Sequence, residues 1–476
     1  MRSLALILLS ATALGCAVAL GPGFNHADRT VNVSATSIEP TQINVRVTDK
    51  LENVGNRGLA YLDVSLPTGP SFGSQNLGIT VAGKTVAGRR VKAGSGSLLR
   101  IPFNPAWPKG EEREIAFGYG LEPSPEGRGA VAATPDGFYL ADPDVFPSWR
   151  PPLGPFARGS LRARTERLEV TVPADFRVLA VGREQHSERR GELVIHRFEM
   201  VGAEFPPYLI AGRYREQRLD TENGEVVFWT RESLDEKVAR TAAQRLTASA
   251  AVYEESFGRI ERSRSPIYVV ETSAELAPIA VETPDIPAAS FPKGVLFDRR
   301  GVTAGLATDS VLDVADYELA RTWFGWHVRP RPEADLLLGR GMAFFAALHA
   351  AEARGGKTLR REEIVRLIKT YDGLGSAADE KPGFGPPVGY SRTELTAKAY
   401  KGALFLLSLE DIAGEEKFHR AVRRILADMA GQEVGTNELR SAVEAEAERN
   451  LAEVFHAWID HPGIPAEFRT NHGAAR

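Results

Sequence analysis

Tyr317-Glu318-Leu319-Ala320-Arg321-Thr322-Trp323-Phe324-Gly325-Trp326 is the stretch on which the fold turns. It continues a helical pattern that begins near Val311, and from there onward nearly everything reads as helix. The pattern breaks at Val328-Arg329-Pro330-Arg331-Pro332 and again over residues 381–387, a Pro- and Gly-rich loop. Glu318 is followed three residues later by Arg321, an offset that places both on adjacent parts of one helix. Trp323, Phe324 and Trp326 read as core aromatics, as does Trp458.

Upstream the texture changes. Residues 226–230 and 266–271 read as strands, and 234–257 between them as a long amphipathic helix. From about residue 22 to 215 strands dominate: Ile43-Asn44-Val45-Arg46-Val47 and Leu168-Glu169-Val170-Thr171-Val172 alternate in period two, and 192–198 and 208–213 are further candidates. The predicted class is therefore α+β. An antiparallel β-sandwich or saddle domain over 22–215 is followed by a mainly helical domain with a small sheet over 216–470, and by a short tail, 471–476.

A chain of 476 residues can bury more than one core. With 43% apolar and 25% charged residues its composition is that of a soluble globular protein. The net charge is −4 and no run of five like charges occurs, which argues against a nucleic-acid partner. Cys16 is the only cysteine, so neither an internal disulfide nor a cysteine-rich metal site is expected. Among the nine histidines only His456 and His461 fall within five residues of each other, without a ligand set around them. No metal site is visible in that distribution.

Residues 1–20 read as an export leader: Arg2, an apolar run over 4–14, then Ala13-Leu14-Gly15-Cys16, similar to a bacterial lipobox in which Cys16 is acylated. Ala17-Val18-Ala19 offers ordinary cleavage and secretion as the alternative, and an uncleaved anchor over 4–20 is slightly short for a span. The expectation is an exported protein, lipid-anchored to a bacterial envelope membrane and touching that membrane only through Cys16.

The opening stretch resembles the signature helix of the aminopeptidase-N family of zinc metallopeptidases, H-E-L-A-H-Q-W-F-G-N. In that family a third ligand, a glutamate in N-E-G-x-A, follows the second histidine after eighteen residues; here that register falls on Arg340 in Gly339-Arg340-Gly341-Met342-Ala343. Pro206-Pro207-Tyr208-Leu209-Ile210-Ala211-Gly212 is similar to the join between the family's first two domains, and Tyr253-Glu254-Glu255-Ser256-Phe257-Gly258 to its Y-E-x-x-F-G. Tyr400-Lys401-Gly402-Ala403 and Trp458-Ile459-Asp460-His461-Pro462-Gly463-Ile464-Pro465 match its tyrosine helix and its ending. Most of 140–467 is covered. The resemblance implies a thermolysin-like second domain, without the C-terminal helical domain of longer relatives.

It also implies a chemistry that these residues do not repeat. In the family two histidines at i and i+4 and a glutamate hold zinc, and the glutamate beside the first histidine is general base to the metal-bound water. The three ligand positions hold Tyr317, Arg321 and Arg340 here, and Glu318 alone survives as a vestigial base. A guanidinium offers no lone pair, and a phenol with a pKa near ~10 is a poor ligand when neutral. The amine-anchoring glutamate of G-x-M-E-N is replaced by Phe291, and the transition-state tyrosine by Ala399. Tyr400 lies one residue later, about 100° round a helix, and a one-residue shift of register would restore it. The expectation is a non-catalytic relative with no metal cofactor, which binds a peptide or protein segment in the former substrate cleft or serves as a scaffold. The two arginines would pair with Glu318 and the neighbouring Asp316 in place of the ion, or grip an anion. The alternative is an active aminopeptidase, or a metal-free hydrolase built on the same fold.

Overall fold

The computed structural model describes residues 24–36, 43–55, 57–66, 77–93, 96–121, 131–134, 136–140, 146–150, 165–201, 208–260, 263, 265–272, 288–298, 301–302, 306, 308–374, 383–384 and 390–473. The leader with Cys16, the Pro206-Pro207 pair and most of the 381–387 loop lie outside the described residues. Contacts divide the chain into two compact units: 1–122 with 143–174 and 182–203, and 123–142 with 175–181 and 204–476.

The described residues of the first unit form strands and their connections, without a helix. Its larger sheet runs, in spatial order, Arg183–Arg190, Leu193–Val201, Thr165–Pro173, Asn25–Ser34, Ile43–Glu52, Glu112–Leu121, Gly78–Val81 and Lys84–Thr85. The pairing is antiparallel except between Asn25–Ser34 and Thr165–Pro173, which run parallel, so the expectation of a purely antiparallel domain needs that one correction. Ile43, Val45, Val47 and Leu51 point inward in period two, as the sequence pattern requires. Asp49 takes the remaining inward position and is fully buried. It survives there because Arg29 reaches it through Nε (2.8 Å) and Nη2 (3.1 Å), Trp149 donates at 2.8 Å and His26 stands at 2.9 Å. Burial alone would raise the Asp49 carboxyl; Arg29 and His26 instead hold it well below the usual range.

The second unit holds three sheets and eight α-helices among the described residues, one sheet being only the short parallel pair Arg329–Pro330 and Glu433–Val434. A four-stranded antiparallel sheet has the order Arg177–Ala180, Leu209–Gly212, Gly137–Leu140, Val131–Thr134. A five-stranded mixed sheet has the order Arg215–Thr221, Gly224–Thr230, Ile267–Glu271, Gly294–Phe297, Ala288–Phe291, with its two inner pairings parallel. Helix α1, Glu236–Phe257, is started by the Asp235 side chain accepting from the Val238 N–H. It buries Ala239, Ala242, Ala243, Leu246, Ala250, Tyr253 and Phe257 at helical spacing, in one core with Val226 and Phe228 of the sheet. Burying a side chain such as Phe257 contributes about 1.5–3 kcal/mol.

Helices α2 (Asp309–Ala320), α3 (Met342–Gly373), α4 (Arg392–Ala413), α5 (Glu415–Asp428), α6 (Thr436–Ala447), α7 (Ala452–Ile459) and α8 (Ala466–His472) complete the unit. Helix α3 is broken at Gly356, whose φ of +68° only glycine adopts without strain. Helix α4 opens with a capping box between Ser391 and Glu394. The mixed α+β architecture matches the sequence reading, and no helix among the described residues is long and apolar enough to cross a membrane. The decisive stretch is not one straight helix, however. Helix α2 ends at Ala320, and Thr322–His327 forms a wide turn in which Val328 N–H bonds the carbonyl five residues back, at Trp323.

Candidate functional site

Helix α2 carries Tyr317 and Glu318 near its C-terminal end, and Arg321 is the residue that caps it. Arg340 lies on a second wide turn, Asp335–Gly341, which leads directly into α3. That turn is held close to α4: a Cβ on Gly341 would meet the Gly402 backbone at 3.0–3.1 Å, so only glycine fits there. Tyr317, Glu318, Arg321 and Arg340, separate in sequence, thus share one electrostatic neighbourhood.

Glu318 is fully buried. The nearest guanidinium nitrogen, Arg321 Nη1, stands 3.7 Å from its Oε2, and neither carboxylate oxygen is in hydrogen-bonding geometry. Burial pushes the Glu318 carboxyl above the usual range, opposed by Arg321, Ser290 and Arg340. The Tyr317 phenol is pushed up to about 12 by burial, although Arg321 and Arg340 pull it down. Tyr317 Oη and Arg321 Nε are both buried without an acceptor, so this corner holds two O–H or N–H donors and a poorly matched carboxylate.

This donor set does not fit a zinc ion. The two guanidiniums carry positive charge and no lone pair, and a phenol that stays protonated gives none of the anionic character a phenolate ligand would need.

The surroundings add residues the sequence did not single out. Phe344 packs at a tilt on Tyr317 with ring centroids 4.3 Å apart and meets Tyr400 edge-on at 4.7 Å, so it links the two tyrosines. Phe291 is fully buried against Tyr208, and Trp326 donates its indole N–H to Ser290 at 3.1 Å. Trp323, Phe324, Trp326 and Trp458 are all buried, as core aromatics should be. Asp316 corrects another expectation. It does not pair with Arg321 or Arg340; it faces the other way and takes Arg245 (3.0 and 2.8 Å), Arg354 (2.8 Å) and the Ser249 hydroxyl (2.6 Å). One helical step of about 100° separates its side chain from that of Tyr317.

The expectation that the chain takes no metal is also corrected. His349, His419 and Glu415 each bring a potential ligand atom to within 4.8 Å of the others. Local spacing could not show this, because His349 sits on α3 and His419 on α5. The available signal was subtler: His419 lies in phase with Phe418, Val422 and Ile425 on the buried face of α5, where a bare apolar residue would be usual. His456 likewise has an unforeseen carboxylate partner, Asp460 at 2.7 Å, with His461 at 3.2 Å.

Comparison with known proteins places this unit. Residues 289–458 match the model of the peptidase family M1 domain. No curated protein matches the sequence. Among solved structures, the M1 zinc metallopeptidase from Deinococcus radiodurans aligns at TM-score 0.63 and 17% identity, over 93% of this chain and 95% of that one. A mutant of that enzyme bound to a Tyr-Ser-Ala substrate aligns at 0.63 and 18%, over the same shares. A two-domain M1 zinc metallopeptidase mutant bound to L-arginine gives 0.62 and 17%, again over 93% and 95%. At these identities the structural likeness is one of fold. The match over 289–458 takes in Tyr317, Glu318, Arg321, Arg340 and Tyr400, so the segment that carries the candidate site is the one similar to the peptidase family M1 domain, on a fold shared with M1 zinc metallopeptidases.

Proposed function

We propose that this protein is a non-catalytic M1 relative whose former zinc seat binds the carboxylate of a peptide, an acidic side chain or a free C-terminus. One observation carries the reading: where the family's resemblance puts three ligands, this chain has Tyr317, Arg321 and Arg340, with two buried donors that lack an acceptor. A carboxylate entering there would satisfy Arg321 Nε–H and Tyr317 O–H, and would gain charge-assisted bonds that the 3.7 Å separation denies to Glu318. Peptidase chemistry would need an activated nucleophile and a stabilised oxyanion. Glu318 alone supplies neither. The leader fits an exported protein held to an envelope membrane by lipid on Cys16.

The test pairs two assays on the full chain. Amino-acid arylamides should not be turned over with or without added zinc. Fluorescent peptides with a free carboxylate terminus should bind more tightly than their amidated forms, and Arg321→Met and Arg340→Ala should each weaken that preference about tenfold or more, the scale of one lost charge-assisted bond. Chelator-sensitive hydrolysis, or binding indifferent to both arginines, would sink the reading.

A further inference from the structure

We propose that His349, His419 and Glu410, with Glu415 at the solvent side, form a binding site for a divalent transition-metal ion of the zinc class. The inference is independent of what the seat near Glu318 binds. Three helices meet here: His349 comes from α3, Glu410 from the last turn of α4, and Glu415 and His419 from α5. Both Nε2 atoms face a single carboxylate oxygen, Glu410 Oε1, at 3.0 Å from His349 and 3.2 Å from His419. None of these three atoms meets the angular criterion for a hydrogen bond despite those short separations, and all three are buried. Three convergent polar atoms so poorly aligned for hydrogen bonds are unusual in a core.

A metal ion resolves the geometry. In a tetrahedral site with bonds of about 2.0–2.2 Å, neighbouring ligand atoms stand about 3.3–3.6 Å apart, so the separations of 3.0 and 3.2 Å need to widen by only a few tenths of an ångström to admit the ion. The Glu410 carboxylate is presented for this: Arg360 holds its Oε2, leaving Oε1 toward the imidazoles. Glu415, one helical turn before His419 and exposed, brings a ligand atom to within 4.8 Å of those of both histidines and opens the site to solvent. The walls are apolar: Phe257 packs against both imidazoles at 5.9 and 5.5 Å, and Phe345 against His349 at 4.9 Å.

The competing arrangement has both imidazoles donating N–H to Glu410 with no ion. Titration of the chelator-treated full chain with zinc chloride separates the two. One saturable equivalent is expected, lost in His349→Gln and in His419→Gln, weakened about tenfold or more in the exposed Glu415→Gln, and unchanged in Arg321→Met. Cobalt(II) added to the unaltered chain should give the intense visible bands of a four-coordinate ion, a readout that does not depend on the histidine variants folding. No saturable zinc, a six-coordinate cobalt spectrum, or binding that persists without both histidines would overturn the site.

Discussion

Replacing Asp316 by asparagine should cost this fold about 3 kcal/mol, whereas the same change at Asp313, one helical turn earlier, should cost less than about 1 kcal/mol. Asp316 is 2% exposed and joins three helices: it sits on α2, accepts from Arg245 and Ser249 of α1, and pairs with Arg354 of α3. Its main-chain carbonyl also accepts from the Tyr253 hydroxyl at 3.1 Å. Asparagine keeps the shape and the Ser249 contact but leaves Arg245, only 10% exposed, without its buried counter-ion. Burial pushes the Asp316 carboxyl up as it does that of Glu318, but here Arg245, Ser249 and Arg354 oppose it at hydrogen-bonding distance, and removing one member of such a buried pair typically costs about 3–5 kcal/mol. The lower end applies because Arg354 is 30% exposed and Arg245 keeps Asp313 as a partner. Asp313 is 54% exposed, so its pairs are screened by water. For a unit of this size a kilocalorie moves the melting midpoint by roughly 2–4 °C, which gives roughly 6–12 °C for Asp316→Asn. Scanning calorimetry on both variants checks it. Equal midpoints for the two would refute the claim that this ionic tie holds α2 in place.

Two further outcomes are expected. Glu318→Gln should raise the melting midpoint at neutral pH and leave it unchanged near pH 4. A carboxyl whose folded pKa is raised contributes its stability below the ordinary value and loses it as pH rises; a midpoint lowered at neutral pH by the substitution would contradict the assigned direction. Labelling with a palmitate analogue in a bacterial host should be abolished by Cys16→Ser, and a mature N-terminus at Leu20 would show ordinary secretion instead.

How much of this was legible depends on the range of the interaction. Period-two alternation located Ile43–Glu52 and Thr165–Pro173, and helical spacing located Glu236–Phe257, because a half-buried element writes its burial into its own sequence. The wide turns at Thr322–His327 and Asp335–Gly341 leave no such mark, since an i to i+5 bond shifts the phase by one residue without a change in composition. The grouping of Tyr317, Glu318, Arg321 and Arg340 was legible only through family resemblance, as Arg340 arrives from another element. The inward Asp49 was hidden for a similar reason: its partners Arg29 and Trp149 lie on other strands. The pair His349 and His419 was beyond reach of any local rule.

Asp316 and Glu318 show why the same residue type meets two fates on one helix. Both are buried carboxylates, two residues apart, and therefore point to opposite sides of α2. On the Asp316 side three donors converge within 3.0 Å, and the charge is a structural tie. On the Glu318 side the nearest cation stays at 3.7 Å, and Arg321 and Tyr317 keep buried donors unspent. If the arginines were there only to neutralise Glu318, a small rotation would close that gap and the donors would be used. Their remaining open is what the proposed ligand seat requires and what an internal ion pair would have eliminated. The two faces of α2 thus differ in kind: Asp316 ties three helices together, whereas the Glu318 face keeps the buried donors on which the proposed carboxylate site rests.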